Sequence, residues 1–144
     1  MIAPATAADE AATVALWHTA GLTRPWNDPA ADFRLALATP TSAVLLARAN
    51  DSLSLGGDAL AGSVMVGFDG HRGWVYYLAT DPAQREQGIG RALMAAAETW
   101  LIERGCPKVQ LMVRGDNLAA KGFYAAIGYE VQDVVTIGKR LSPN

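Results

Sequence analysis

The feature that most constrains this chain is an abrupt change of hydrophobic period between residues 74 and 101. Trp74–Thr80 (WVYYLAT) is rich in aromatic and apolar residues and predicts a strand. Apolar residues then recur at helical spacing, in a stripe made of Ile89, Ala92, Leu93, Ala96, Ala97, Trp100 and Leu101. The sequence therefore predicts a strand–loop–helix unit whose connection contains two glycines, Gly88 and Gly90.

Helix and strand signals also flank this unit. A first helix is predicted from Thr6 to about Ala20, and a second begins at Asn27-Asp28-Pro29 and ends before Pro40. Leu60, Val64, Val66 and Phe68 share one parity, which predicts a half-buried strand over 60–68. The other predicted strands are 42–49, 109–113 and 129–135, and residues 137–141 extend the last of these or pair with it. A further helix is predicted from 117 to 127, and loops are predicted at 50–58 and 69–73.

The order of these elements defines a fold class. Helices come first, an antiparallel meander follows, and the chain then runs strand–helix–strand–helix–strand. This order predicts an α/β protein with a mixed sheet and helices on its faces. At 144 residues the chain fits a single domain, 1–144, and it has no internal repeat or linker.

Composition argues against several classes of partner. A net charge of -2 provides no electrostatic footprint for nucleic acid. Cys106 is the single cysteine, and the two histidines lie far apart, so neither a disulfide nor a metal site is expected. The first basic side chain is Arg24, and no apolar run reaches the roughly 18 residues that span a bilayer. We expect a cytoplasmic protein with no membrane, metal or nucleic-acid partner.

The loop from Asp81 to Arg91 has the chemistry of an anion cradle. The first turn of a helix leaves N–H groups without intrahelical acceptors, and the peptide dipoles place positive charge there. Gly88 and Gly90 let a phosphate approach the backbone, and Arg85 and Arg91 add charge. A tight turn used only for packing remains an alternative. The sequence lacks GxxxxGK[ST] and the third glycine of a dinucleotide fingerprint.

The wider pattern resembles the GNAT superfamily of acyl-CoA-dependent N-acyltransferases. The resemblance spans Trp74 to about Val131 and consists of Arg85-x-x-Gly88-x-Gly90-x-x-Leu93, Asn117, and Phe123-Tyr124-x-x-Ile127-Gly128-Tyr129. Four further strings are similar to bacterial YpeA-type acetyltransferases: 24–29 (RPWNDP), 69–73 (DGHRG), 104–108 (RGCPK) and 138–141 (GKRL). The resemblance implies a mostly antiparallel central sheet with a splayed parallel pair and flanking helices.

The resemblance also implies that acetyl-CoA is bound as the acyl donor. Backbone groups of Leu78 and Thr80 would pair with its pantetheine arm like an added strand, with Ala79 adjacent. The residues that would face the diphosphate are Arg85, Glu86, Gln87, Gly88, Ile89, Gly90 and Arg91. Glu86 departs from the glycine common at its position, so its carboxylate must point away from phosphate. Asn117 would help hold the coenzyme, in addition to or instead of capping a helix.

Tyr124 matches the tyrosine that serves the superfamily as general acid, and it would also contact the coenzyme. A phenol with a pKa of about 10 can protonate a thiolate whose pKa is near 8.5. The alternative for Tyr124 is a core position on an amphipathic helix. No carboxylate stands on the Trp74–Thr80 strand, so the base is open among a water chain, Asp69, His71 and Tyr76.

The amine acceptor would bind near the N-terminal helices and the meander turn. Candidate residues are Trp26, Asn27, Asp28, Asp69, His71 and Tyr76, with Arg24 available for a substrate carboxylate. Asn27, Asp28 and Asp69 have simpler alternatives as cap or turn residues. The resulting prediction is an acetyl-CoA-dependent N-acetyltransferase acting by direct attack on an acceptor of unknown identity. A non-catalytic acyl-CoA-binding regulatory module and a structural or nucleotide-binding domain are the alternatives, and a homodimer stays open.

Overall fold

A computed structural model describes residues 1–48, 59–85 and 87–143 of the chain. The predicted loop 50–58, Ala49 and Glu86 lie outside the described residues. The strands are β1 (Ile2–Pro4), β2 (Ser42–Arg48), β3 (Leu60–Phe68), β4 (Gly73–Thr80) and β5 (Val109–Leu111). The helices are α1 (Glu10–Thr19), which follows a single 3-10 turn at Ala7–Asp9, α2 (Pro29–Ala38), α3 (Ile89–Ile102) and α4 (Leu118–Ala126).

Contacts divide the chain into two compact units, Met1–Leu111 and Met112–Asn144. The first holds a five-stranded sheet in the order β1-β2-β3-β4-β5. Its first four strands pair antiparallel, and β4 pairs parallel with β5. The mixed sheet therefore has the predicted class, while the assignment of 1–144 to one domain stays a prediction. None of the helices in the described parts of the chain has the length and apolar character to cross a bilayer.

Local capping explains where the first two helices begin. The Thr6 backbone N–H donates to the Asp9 carboxylate at 2.9 Å, one half of a capping box ahead of α1. At α2, the Asp28 carboxylate accepts from the Ala31 N–H at 3.1 Å, and Pro29 occupies the first helical position. Caps of this kind contribute about 1 kcal/mol each. The start of α2 is confirmed, whereas Thr6 caps the 3-10 turn and α1 itself begins at Glu10.

Helices cover both faces of the sheet. Leu16, Trp17 and Phe33, from α1 and α2, form one core cluster with alternate residues of β2. On α3, Leu93, Met94, Ala97, Trp100 and Leu101 are the buried residues. Because both faces are covered, β3 is not half-buried as expected; Ala61 and Ser63 are buried as well as Leu60, Val64 and Val66. The α3 stripe needs a similar correction, since Met94 is buried and Ala92 is exposed.

In the second unit, α4 begins as predicted. The Asn117 side chain accepts from the Ala120 N–H at 3.0 Å, and Gly128 follows the helix with φ at 96°. The predicted strands at 129–135 and 137–141 are wrong, because the structure describes no strand within 112–143. Their apolar side chains are largely exposed there, Val131 at 89% and Ile137 at 91%. A strand needs a partner, and this unit contains none among its described residues.

Candidate functional site

The pairing of β3 with β4 is irregular at the middle of β4. Ser63 pairs with Ala79 and Met65 pairs with Tyr76, so Val64 stands opposite two residues, Tyr77 and Leu78. This two-against-one arrangement is a β-bulge, which bends a strand and strengthens its local twist. Tyr77 adopts a φ of 52°, in the left-handed region that costs a non-glycine residue roughly 1–2 kcal/mol.

A buried polar network surrounds Tyr77. The Trp17 Nε1 donates to the Ser63 Oγ at 2.9 Å, and that hydroxyl donates to the Tyr77 carbonyl at 3.0 Å. The Tyr77 ring stacks on Trp17 with centroids 3.9 Å apart, and its Oη donates to the Asp32 carboxylate at 2.7 Å. Burial, and then this bond to Asp32, raises the pKa of the Tyr77 phenol far above its usual value.

Just before the bulge, the pairing of β4 with its parallel neighbour ends. Pairing with β5 is confined to Gly73, Trp74 and Val75, whereas β4 continues to Thr80. In the described part of the first unit, no strand pairs with the β5-facing edge of residues 76–80. Leu78 and Thr80 are half-buried, and Ala79 is 2% exposed. This opening is the splay that the family resemblance implies, and within the first unit it leaves an edge to which an extended ligand can add.

The chain turns directly from this edge into the glycine loop. The Asp81 carboxylate accepts from the Ala83 N–H at 2.9 Å and orders a 3-10 turn at Pro82–Gln84. Gly88 is the N-cap of α3 with φ at 76°, which only glycine adopts without strain. The first-turn N–H groups of this 14-residue helix lack intrahelical acceptors, as in any α-helix. Arg85, Gln87 and Arg91 are exposed, while Ile89 and Gly90 are half-buried.

A cleft of about 370 Å³ also opens beside the start of α3. Three predicted diphosphate residues, Gln87, Gly88 and Ile89, contribute to its wall. Residues from β1, β2 and β3, together with Met1, Gln84 and Ala92, form the rest of the wall, and Leu78, Ala79 and Thr80 are not among the lining residues. The cleft therefore reaches the glycine loop from the side away from the open edge of β4.

The hairpin between β3 and β4 gathers three of the predicted acceptor residues. The Asp69 carboxylate accepts from the backbone N–H groups of Arg72 at 2.7 Å and His71 at 2.8 Å, which lowers its pKa. Burial, followed by the nearby Asp69 charge, raises the pKa of the Tyr76 phenol. Asp69 and His71 thus share one turn, and Tyr76 on β4 lies close enough for the Asp69 charge to act on it.

The other predicted acceptor residues lie in the segment between α1 and α2. The Trp26 side chain is 56% exposed, and the Asn27 N–H donates to the Arg24 carbonyl at 3.1 Å. Asp28 caps α2, as its simpler interpretation predicts.

Tyr124 lies on α4, in the second unit. Its ring contacts Phe123 and Tyr129 edge-on, with centroid distances of 5.0 and 5.7 Å. Burial raises the pKa of its phenol. On the same helix, the Asn117 side-chain oxygen is used for capping, which leaves its amide N–H groups available to donate.

Sequence reasoning missed the residues that support the bulge. None of Trp17, Ser63 and Asp32 is predicted from the sequence as a site candidate. One signal was available: Ser63 is a hydroxyl within an otherwise apolar strand, LAGSVMVGF, where a buried polar group must find a partner.

Several known proteins are similar to this chain in sequence. The sequence model of the Acetyltransferase (GNAT) family matches residues 11–129. An acetyltransferase of Pectobacterium atrosepticum is 45% identical over 92% of this chain and 89% of its own length. An acetyltransferase of Yersinia pestis is 44% identical over 89% of this chain and 86% of its own length.

Solved structures show the same fold at lower identity. The aminoglycoside N-acetyltransferase AAC(6')-Iy in complex with CoA superposes with a TM-score of 0.79 at 16% identity, over 99% of this chain and 95% of its own. The aminoglycoside 6'-N-acetyltransferase AAC(6')-IG from Acinetobacter haemolyticus superposes with a TM-score of 0.75 at 20% identity, over 99% of both chains. The chain belongs to the GNAT acetyltransferase family, and it is an enzyme of the N-acetyltransferase class.

Proposed function

We propose that this chain, acting as one domain over 1–144, transfers the acetyl group of acetyl-CoA to an amine by direct attack. The observation that carries the proposal is the continuity of two features in the first unit. The unpaired edge of β4 leads, within a few residues, to the glycine-capped start of α3. The first suits an extended amide-bearing arm, and the second suits a diphosphate.

The donor would lie along these two features in order. Backbone groups of Leu78, Ala79 and Thr80 pair with the two amides of pantetheine, and the loop 85–91 binds the diphosphate with its N–H groups. Arg85 and Arg91 are exposed at the rim of the loop, where their charges add to the helix dipole. Asn117, through its amide group, is proposed as a further coenzyme contact because it matches the family motif.

The chemistry needs one proton accepted and one donated. The neutral amine attacks the thioester carbonyl carbon, the C–S bond breaks, and the thiolate leaves with the electron pair. Tyr124 is the proposed donor to that thiolate, because it matches the family's general acid. Its raised pKa keeps the phenol protonated throughout the neutral range, which is the form a general acid requires.

The base that accepts the proton from the amine is proposed by elimination among the predicted candidates. A carboxyl whose pKa is lowered, as in Asp69, is a weak base. Tyr76 has a raised pKa, so its phenol is protonated and does not accept. His71 or an ordered water is therefore the proposed acceptor, and the hairpin with Tyr76 and the segment with Trp26 and Asn27 are proposed to contact the substrate.

The donor site is tested with two glycines at opposite ends of α3. Gly88 precedes the helix with φ at 76°, Gly105 follows it with φ at 78°, and a Cβ at either position meets nothing within 4 Å. Alanine should therefore cost similar backbone strain at both, about 1 kcal/mol. We expect Gly88→Ala to weaken CoA binding about tenfold or more in calorimetry, and Gly105→Ala to bind as the parent does. Equal affinities would remove the glycine loop from the site.

Catalysis is tested separately from binding. Release of CoA thiol is measured while peptides, polyamines, amino acids and aminoglycosides are offered with acetyl-CoA. With an accepted amine, Tyr124→Phe should lower kcat about 100-fold and leave the KM for acetyl-CoA within twofold. The matched control is Tyr129→Phe, which removes the hydroxyl from a ring in contact with Tyr124 and should leave kcat within about threefold of the parent. Binding of CoA without turnover of any acceptor would favour the regulatory module instead.

A further inference from the structure

The network around Tyr77 has a role beyond packing. We infer that Ser63, held by Trp17 and assisted by Asp32, is a positioning residue that fixes the β4 bulge and so sets the alignment of the acetyl-donor site. The inference rests on the proposed function, since it concerns the same edge of β4. It adds a residue from β3 and two residues from the N-terminal helices to that site.

The conformation of Tyr77 requires external support. A tyrosine at a φ of 52° persists only where its surroundings over-determine it. Three contacts do so here, one to each part of the residue: a hydrogen bond to its carbonyl, a stacked ring on its side chain, and a carboxylate on its hydroxyl. These contacts come from β3, α1 and α2 respectively.

Ser63 is the residue through which α1 acts on the backbone. Ser63 and Trp17 are both 0% exposed. The hydroxyl accepts the indole N–H and donates to the Tyr77 carbonyl, so its removal leaves two buried polar groups without their partner. The Ser63 hydroxyl can donate its hydrogen bond only when the Tyr77 carbonyl points toward β3 at the bulge.

The bulge determines which way the donor-binding residues face. Side chains alternate along a strand, so a shift of one residue turns every following position to the opposite face. If Tyr77 relaxed to extended geometry and paired alone with Val64, the alternation through Leu78, Ala79 and Thr80 would invert relative to β3. The core position of Ala79 and the edge groups proposed for pantetheine would then be lost together.

The test compares two serines that make the same kind of bond. Ser63→Ala removes the bond to the Tyr77 carbonyl, while Ser42→Ala removes a hydroxyl bond of 2.6 Å to the Ala36 carbonyl, between β2 and α2. Calorimetry with CoA and steady-state kinetics with an accepted amine are run on both full-length variants. We expect Ser63→Ala to raise the Kd for CoA and the KM for acetyl-CoA about tenfold. Ser42→Ala should leave both values within twofold of the parent.

A second variant protects the test against misfolding of Ser63→Ala. Asp32→Ala removes the anchor of the Tyr77 hydroxyl from a half-buried position in the first turn of α2, and should raise the Kd for CoA about threefold. A crystal structure of either folded variant should show Tyr77 at a negative φ. If the parent binds CoA and the folded variants bind it equally well, the inference is overturned and the proposed function stands. If the parent itself does not bind CoA, the proposed function fails first.

Discussion

The two halves of β4 differ in pairing, in backbone geometry and in burial. Gly73–Val75 pairs on both edges, with β3 on one side and β5 on the other, and Gly73 and Val75 are buried. Tyr76–Thr80 contains the bulge and the left-handed Tyr77, and its second edge is unpaired in the described first unit. One strand therefore combines an anchored half with an opened half, and the anchored half allows the opened half to be irregular without unravelling the sheet.

Two glycines of β3, one opposite each half, provide the largest test of this contrast. A Cβ at Gly62 would lie 2.7 Å from the Ala79 carbonyl oxygen and 2.8 Å from the Leu93 Cδ1. Because the backbone cannot yield cheaply, Gly62→Ala should lower the free energy of unfolding by about 2–3 kcal/mol and weaken CoA binding as well. Chemical denaturation and calorimetry measure the two effects.

The matched control is Gly67→Ala, which lies opposite Trp74 in the anchored half. Its Cβ would meet the Ser42 Cβ at 3.4 Å, close to ordinary contact. Stability should change by no more than about 0.5 kcal/mol, and CoA affinity should not change. Equal losses at the two glycines would mean that the opened half of β4 has no special geometry.

A smaller effect is expected from Gly73→Ala, inside the anchored half. The new Cβ would approach the two Leu101 Cδ atoms at 2.6 and 2.7 Å, which are side-chain ends that can rotate. We expect a loss of about 1–2 kcal/mol in unfolding free energy with CoA affinity of the folded protein unchanged. Adding Leu101→Val should recover part of the loss, giving a coupling energy above about 0.5 kcal/mol in a double-mutant cycle. A weakened CoA affinity in Gly73→Ala would contradict the separation of the two halves.

Sequence reasoning predicted the elements whose determinants are local. The β4 and α3 segments have strong periods, Asp28 and Asn117 occupy the caps they were expected to occupy, and the parallel pair is splayed as the family resemblance implies. Periodicity and capping act over a few residues, so they are readable without knowledge of the fold.

The features that sequence reasoning missed depend on partners that are distant in the chain. β1 is only three residues long, Ile2–Pro4, and it is a strand because it pairs with β2. In this pairing Ile2 lies opposite Ala47 and Pro4 lies opposite Leu45. The bulge at Tyr77 arises from a register mismatch with β3 and from contacts with Trp17 and Asp32, far away in sequence. The apolar residues of 129–135 led to the opposite error, because strand propensity was not matched by a pairing strand.

The smallest effect tests the hydroxyl of Tyr77, at the boundary between the halves. Tyr77→Phe keeps the stacked ring and removes only the bond to Asp32, so unfolding free energy should fall by about 1 kcal/mol at neutral pH. The pKa of this phenol is raised in the folded state, so its contribution is fully present below the unfolded value of about 10 and is lost as pH rises further. The stability difference between parent and variant should therefore be constant from pH 6 to 9 and shrink above about pH 10, as followed by urea denaturation.

Tyr76→Phe, at a side chain 43% exposed, should change stability by less than about 0.5 kcal/mol at neutral pH. A difference for Tyr77→Phe that instead grew with alkaline pH would mean that the phenol is stabilised as its anion, which would be incompatible with a proton donated to Asp32.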